Sequence, residues 1–398
     1  MQRYEYSIPS TGNLLCDILS SFGLLELLLI SDPLADMECC LGHYDILRVK
    51  SEMEKEDLEE NILKSLIALS KSEQIKHNLN FTVNTGKKYK TRELAYEVLC
   101  HLIDEQIKNV FSLDAFKPIK KTRKSRELGT LYLSIFPIYG KGSKHYDSTM
   151  TGESVRATPE VIVSYMIGLA FYTISWREEI RDAASRIHLS LFPPLGVLVR
   201  KDYIRTLRRM AILYSTEDSR WYINNCLEGL PKLALPMAVL ANLDVSTLMY
   251  LKKIHSPQII LFDIEQRGGR AAEESRLYRI YDTTIFLDFF LGLGEQIHEA
   301  KEYILSLIKL RGSEKVKKSE RSELRNIVDS LLLELSYAIL NRDSNKLIKV
   351  LFESGRLEDR VGGELKEELV RKIYKPKPDL SYRMVEYLLK GPEGVRLL

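Results

Sequence analysis

The residues of this 398-residue chain whose types and spacing could do chemistry are mostly cations. The decapeptide KPIKKTRKSR, residues 117–126, holds six Lys or Arg and no acid. Extended to residue 145, the stretch contains Lys117, Lys120, Lys121, Arg123, Lys124, Arg126, Lys141 and Lys144 against Glu127 alone. A second cluster is Arg200, Lys201, Arg205, Arg208 and Arg209; positions 205, 208 and 209 are spaced i, i+3, i+4 and share one helix face. A third is Lys87, Lys88, Lys90 and Arg92, and a fourth is Arg267 with Arg270. Cations at this density suit phosphate contact, and His145 and Tyr146 beside the first cluster are available for base stacking. Any one cluster alone reads as solvated surface. Four of them, in a chain whose formal net charge is only +3, point instead to a polyanion-binding face.

Patterns for covalent or metal chemistry do not assemble. A phosphate-binding P-loop would need Gly five residues before Gly86, where Phe81 stands, and Ser or Thr after Lys87, where Lys88 stands. The GLG at 292–294 lies inside an apolar helical pattern and is no dinucleotide loop. The seven histidines (His43, His77, His101, His145, His188, His255 and His298) show no metal-ligand spacing. Asp263 and Glu265 in FDIE share one strand face; without further ligands that is a solvated face rather than a metal site. No G-x-S-x-G elbow occurs. The expectation is a protein without catalytic residues, and with neither a metal nor another cofactor.

The elements that must position the cations follow from periodicity. LLCDILSSFGLLELLLI reads as an amphipathic helix and HYDILRV as a strand. Leu58, Ile62, Leu66 and Leu69 line one face of a helix expected over 51–76. FTVNTGKKYKTR is strand-like and turns basic, leading into a helix in ELAYEVLCHLIDEQIKNVF. LGTLYLSIFPIY is a strand, 161–176 an apolar helix, and Pro193–Pro194 ends any helix before DYIRTLRRMAILYST, which is helical. LPKLALPMAVLANLDVSTLMYLKKI supplies short helices. PQIILFDIEQRGGRAAEESRLYRIYD is the clearest hairpin, turning at Gly268–Gly269 in two residues or slightly more. From 283 on the pattern is helical, with Ile327, Leu331, Leu335 and Ile339 in register. The fold class is α+β: an N-terminal mixed domain with antiparallel strands and a hairpin over 1–282, then an all-helical bundle over 283–398.

Composition narrows the setting. Apolar residues make up 45% of the chain, enough for a full core, and no uncharged run reaches the length of a membrane span. Five cysteines, Cys16, Cys39, Cys40, Cys100 and Cys226, form neither a disulfide framework nor a Cys-x-x-Cys pair, and no signal peptide is visible, so a reducing cytoplasmic setting is expected. Only six Gln, against abundant Lys, Glu, Arg, Ile and Leu, lean towards a thermophile.

The order of these segments resembles a known family. STGNLLCDILSSFGLLELL is similar to the N-terminal pattern of the large subunits of CRISPR interference complexes. SIFPIYGKGSK, the apolar helix, FPPLGVLV, the hairpin and the helical C-terminal part follow in the same order, and the whole layout resembles the archaeal type I-A Cascade large subunit. The chain departs from some related subunits in lacking Cys-x-x-Cys pairs, so no zinc knuckle carries over. The resemblance implies a non-catalytic subunit that holds the handle of the CRISPR guide RNA. It would recognise the protospacer-adjacent motif on double-stranded target DNA and help open it. The implied partners are guide RNA, target duplex and displaced single-stranded DNA, other Cascade subunits and the effector nuclease-helicase, with no membrane. The C-terminal bundle would pack on small subunits or hold the displaced strand. Asn84, Lys144 and Gln266, polar residues on expected loops, are candidate base contacts.

Two other functions fit parts of the pattern. A metal-dependent nuclease would need an acidic cluster around Asp263 and Glu265. A scaffold or regulator would meet an acidic protein, or only water, with its basic patches and make no nucleic-acid contact.

Overall fold

A computed structural model describes residues 2–7, 14–41, 46–83, 93–107, 109–116, 129–131, 155–180, 183–213, 222–267, 274–312, 318–357 and 376–394. The fold is α+β. The chain divides into two units, the first made of Met1–Ser215 and Ile260–Ile280, the second of Thr216–Ile259 and Tyr281–Leu398. The expected boundary at 282 lies beside the crossing at Ile280–Tyr281, while residues 216–259 cluster with the helices that follow it.

The first unit opens with β1 (Gln2–Ser7), α1 (Leu14–Ser31), β2 (Asp36–Cys40) and β3 (Ile46–Ser51). It continues through α2 (Lys55–Ser70), α3 (Glu73–Asn78), the short pair β4 (Thr82–Val83) and β5 (Glu93–Leu94), and α4 (Ala95–His101). After the pair β6 (Gly129–Leu131) and β7 (Val155–Ala157) come α5 (Pro159–Tyr172), β8 (Thr173–Ile180), β9 (Ala183–Phe192), β10 (Leu198–Arg200) and α6 (Lys201–Leu213). Strands β11 (Gln258–Arg267) and β12 (Glu274–Asp282) complete it.

One sheet has the order β1-β3-β2-β10, all neighbours antiparallel. Its register aligns Tyr6, Leu47, Cys39 and Val199 across the four strands, and all four are buried. Period-two alternation thereby turns Glu5, Arg48, Glu38 and Arg200 to the other face. A second sheet has the order β12-β11-β9-β8, with Trp176 opposite Ile187 and Ile174 opposite Leu189.

Between these elements, α1 and α5 touch backbone to backbone. A Cβ on Gly23 would stand 1.6 Å from the Ser164 carbonyl oxygen, and one on Gly168 would stand 1.9 Å from that of Leu19. Only glycine at both positions permits this approach. The consequence departs from the amphipathic expectation for α1: apolar side chains are buried all round it, from Leu15 to Leu29, and Asp17 and Glu26 are buried with them.

Other departures have local causes. The helix expected over 161–176 stops at Tyr172, because Thr173 turns extended (φ −121°, ψ 146°) and its hydroxyl donates to the Leu169 carbonyl at 2.5 Å. Thr173, Ile174 and Trp176 then start β8, and the segment after it pairs back as β9 rather than staying helical. The helix expected over 51–76 breaks at Ser72, whose hydroxyl accepts from the Ile75 amide and caps α3. Its apolar face is as expected at Leu58, Ile62 and Leu66, which are buried, with Leu69 half-buried. Strands β11 and β12 are neighbours in the sheet, and the turn expected at Gly268–Gly269 falls outside the described residues.

The second unit is helical: α7 (Leu235–Ala241), α8 (Val245–Ile254), α9 (Thr284–Gly292), α10 (Ile297–Arg311), α11 (Lys318–Asn341), α12 (Ser344–Gly355) and α13 (Pro378–Gly394), the last interrupted at Gly391 with φ +70°. Leu331, Leu335 and Ile339 are buried along α11, as their spacing predicts, while Ile327 of the same set is half-buried. Arg311, only 3% exposed, explains why residues before 259 belong here. Its guanidinium donates to Asp329 on α11 and to the carbonyls of Cys226 (3.2 Å) and Glu228 (2.6 Å). Burial pushes the Asp329 carboxyl up, and Arg311 opposes that push. Among the described residues, no single helix is long and apolar enough to cross a membrane, although the bent pair Lys232–Ala241 and Val245–Ile254 passes on length and composition.

Candidate nucleic-acid interface

The second basic cluster is the one whose side chains are described, and it sits where β10 runs directly into α6. Gly196 (φ +77°) makes the turn that follows Pro193–Pro194 possible, and its amide donates to the Leu41 carbonyl at 2.6 Å, bringing β10 alongside β2. Tyr203, Ile204, Leu207, Met210 and Ala211 recur on a helical period and are buried, which fixes the rotation of α6. Asp202 and Arg209 are left exposed, and Arg205 lies at the border.

The five cations do unequal work. Lys201 donates from Nζ to the Ala35 carbonyl at 2.5 Å, and Arg205 donates from Nη2 to the Pro33 carbonyl at 3.3 Å. Both therefore clasp the turn that joins α1 to β2. Arg205 also lies 3.9 Å from Asp202. Arg208, on the same side of the helix by spacing, points inward: Nη2 is 2.9 Å from Oε1 of the fully buried Glu26, and the guanidinium carbon lies 5.6 Å from the Phe171 ring centre. Tyr172 donates its hydroxyl to the other Glu26 oxygen at 3.1 Å. Burial raises the Glu26 carboxyl above its ordinary range, and the Arg208 charge and the Tyr172 hydrogen bond pull in the opposite direction. Arg200 is 83% exposed with Glu38 4.0 Å away, and Arg209 is exposed.

A cationic edge results, with two exposed guanidiniums (Arg200, beside Glu38, and Arg209), two cations that grip backbone carbonyls, and one that faces a core carboxylate. Such an edge can contact phosphates by charge-assisted hydrogen bonds. Sequence reasoning missed Glu26 as the partner of Arg208, and it missed the turn at Asp32–Ala35. The Asp-Pro pair at 32–33 is turn chemistry that marks the place.

The remaining expected positions lie elsewhere. Lys87, Lys88, Lys117, Lys120, Lys121, Arg123, Lys124, Arg126, Lys141, Lys144, Arg270 and the candidate base contact Asn84 fall outside the described residues. Gln266 and Arg267 close β11, and their side chains, like those of Asp263 and Glu265, also fall outside them. Among the described residues no group of three or more His, Cys, Asp or Glu is placed to hold a metal ion, and Cys16, Cys39 and Cys226 are buried. No protein-family model matches this chain, and no curated protein matches it significantly.

Proposed function

We propose that the protein is a non-catalytic nucleic-acid-binding subunit of a cytoplasmic RNA-guided DNA surveillance complex, of the kind that holds guide RNA and inspects the duplex beside its target. The observation that carries this reading is the distribution of cations. Eight Lys or Arg stand against one acid in 117–145, and the β10–α6 edge presents Arg200 and Arg209 to solvent, in a chain of net charge +3. The family-like order of segments supports the more specific part of it: recognition of a protospacer-adjacent motif, contact with guide RNA, duplex and displaced strand, and association with further subunits and an effector nuclease-helicase.

Binding of the purified protein to mixed-sequence DNA and RNA across salt concentrations tests the nucleic-acid reading. If about six phosphates are neutralised, log K falls with log[salt] at a slope of roughly −5. Neutralising Lys120, Lys121, Arg123 and Lys124 together weakens binding and flattens the slope. Unchanged affinity and slope in that variant would favour a scaffold that meets proteins instead. Magnesium-dependent cleavage lost on changing Asp263 or Glu265 would replace the reading with a nuclease.

A further inference from the structure

The sheet ordered β1-β3-β2-β10 buries one face and shows the other. Read across the strands, the middle outward row is Glu5, Arg48, Glu38 and Arg200, a strict alternation of charge. The row on one side of it aligns Ser7, Ile46, Cys40 and Leu198, and the row on the other side aligns Arg3, Lys50 and Asp36. These side chains are exposed or half-buried, Leu198 at 42%.

A solvated face is ordinary for an antiparallel sheet. Neighbouring charges also pair within it: Arg48 with Glu5 at 3.0 Å, Lys50 with Asp36 at 3.7 Å and Arg200 with Glu38 at 4.0 Å. Such exposed pairs contribute little to stability. The symmetry of the pattern is less ordinary. A two-fold axis parallel to the strands, between two such faces, keeps each row level and reverses the strand order. Then β3 faces β2 of the second copy, and β1 faces β10. Arg48 stands opposite Glu38, Glu5 opposite Arg200, and Lys50 opposite Asp36, each in both directions. In the remaining row Ile46 meets Cys40, and Leu198 meets Ser7. An axis across the strands does the opposite and sets Arg48 on Arg48 and Glu5 on Glu5. A charge order that is its own complement selects a copy of itself. A polyanion is the poorer match, because acids alternate with cations along the middle row.

We propose that two copies of this chain associate through the outer faces of this sheet, about a two-fold axis parallel to its strands. The proposal does not rest on the nucleic-acid reading. Strands about 4.8 Å apart, rising about 3.4 Å per residue, make this face roughly 19 Å by 20 Å. That is small beside the interfaces of permanent dimers, so the association is weak and reversible, and its charges make it salt-sensitive. Arg200 belongs also to the cationic edge, so a second copy and a phosphate compete for it.

Sedimentation velocity of the full chain, over a range of concentrations at low and high salt, tests this. The expected result is a monomer–dimer equilibrium whose dissociation constant rises with salt. Arg48→Glu and Glu38→Arg each set like charges across the axis, and each weakens association at least about tenfold. Mixing the two variants restores it. The reversed charge at 48 in one chain then meets the reversed charge at 38 in the other, and the unchanged Glu38 meets the unchanged Arg48. Restoration on mixing is a result that a misfolded variant does not give, and circular dichroism checks each variant alone. Wild-type protein that stays monomeric at high concentration and low salt would overturn the proposal, leaving the face to water or a different protein and the nucleic-acid reading intact. A dimer indifferent to both variants would put the contact on another surface and overturn it too. Loss of association in both variants, without restoration on mixing, would overturn the two-fold arrangement.

Discussion

Arg205, Arg208 and Arg209 are alike in type and close in sequence, yet each solves a different physical problem. Arg208 compensates a carboxylate that folding has removed from water, because Glu26 lies on a helix buried all round. That division of labour could not be read from the arginines. It depends on which face of α1 meets α6, and Glu26 sits in an apolar run that gives no hint of a partner. The residue-scale prediction concerns pH. Glu26 binds its proton more tightly in the folded state than in the unfolded chain, where it titrates near its ordinary 4.5. The folded state therefore gains protons relative to the unfolded one, and this group's contribution to stability falls as pH rises from that value through the raised folded pKa. Urea midpoints measured along that pH range fall more steeply for wild-type protein than for Glu26→Gln. Parallel curves would contradict the burial. Asp244 behaves oppositely. Hydrogen bonds from Ser246 and Thr247 lower it to about 2, so its cap on α8 is fully effective above 3.8 and is lost as pH falls through about 2. Asp244→Ala is expected to cost about 1 kcal/mol at neutral pH by denaturant titration.

At the scale of elements, the Gly23–Gly168 contact organises the first unit, since it brings α1 and α5 to a distance at which no Cβ fits. Gly168→Ala forces the two backbones apart and is expected to destabilise the protein by about 3 kcal/mol, the upper range for overpacking, visible as a lowered urea midpoint. An unshifted midpoint would mean the helices are further apart than described. Long apolar periods made the helices legible in the sequence, and the neighbouring strands β11 and β12 were legible from the apolar run and the strand that returns after it. The hairpin of β8 and β9 was not, because Thr173–Trp176 continues an apolar helical run without a breaker. The alternation of Ile174 and Trp176 with Ile187 and Leu189 becomes visible only once the two segments pair. The turn at Asp32–Ala35 was half legible: Asp-Pro marks it, but the Lys201 and Arg205 side chains that hold it arrive from far along the chain.

For the whole molecule, composition is nearly neutral while charge is local, and the α+β and helical units supply frames on which cationic edges can be set. The fold class was legible because strands and helices segregate along the sequence. The membership of residues 216–259 was not, because it follows from the carbonyls that Arg311 gathers. The proposed function places this protein inside an RNA-guided complex. Tagged protein recovered at low salt from the cells that make it tests this most directly, by sequencing the RNA and identifying the proteins that come with it. The expected result is one particle containing RNA that carries CRISPR repeat sequence, together with further subunits. Recovery of the protein without such RNA or any partner would contradict it.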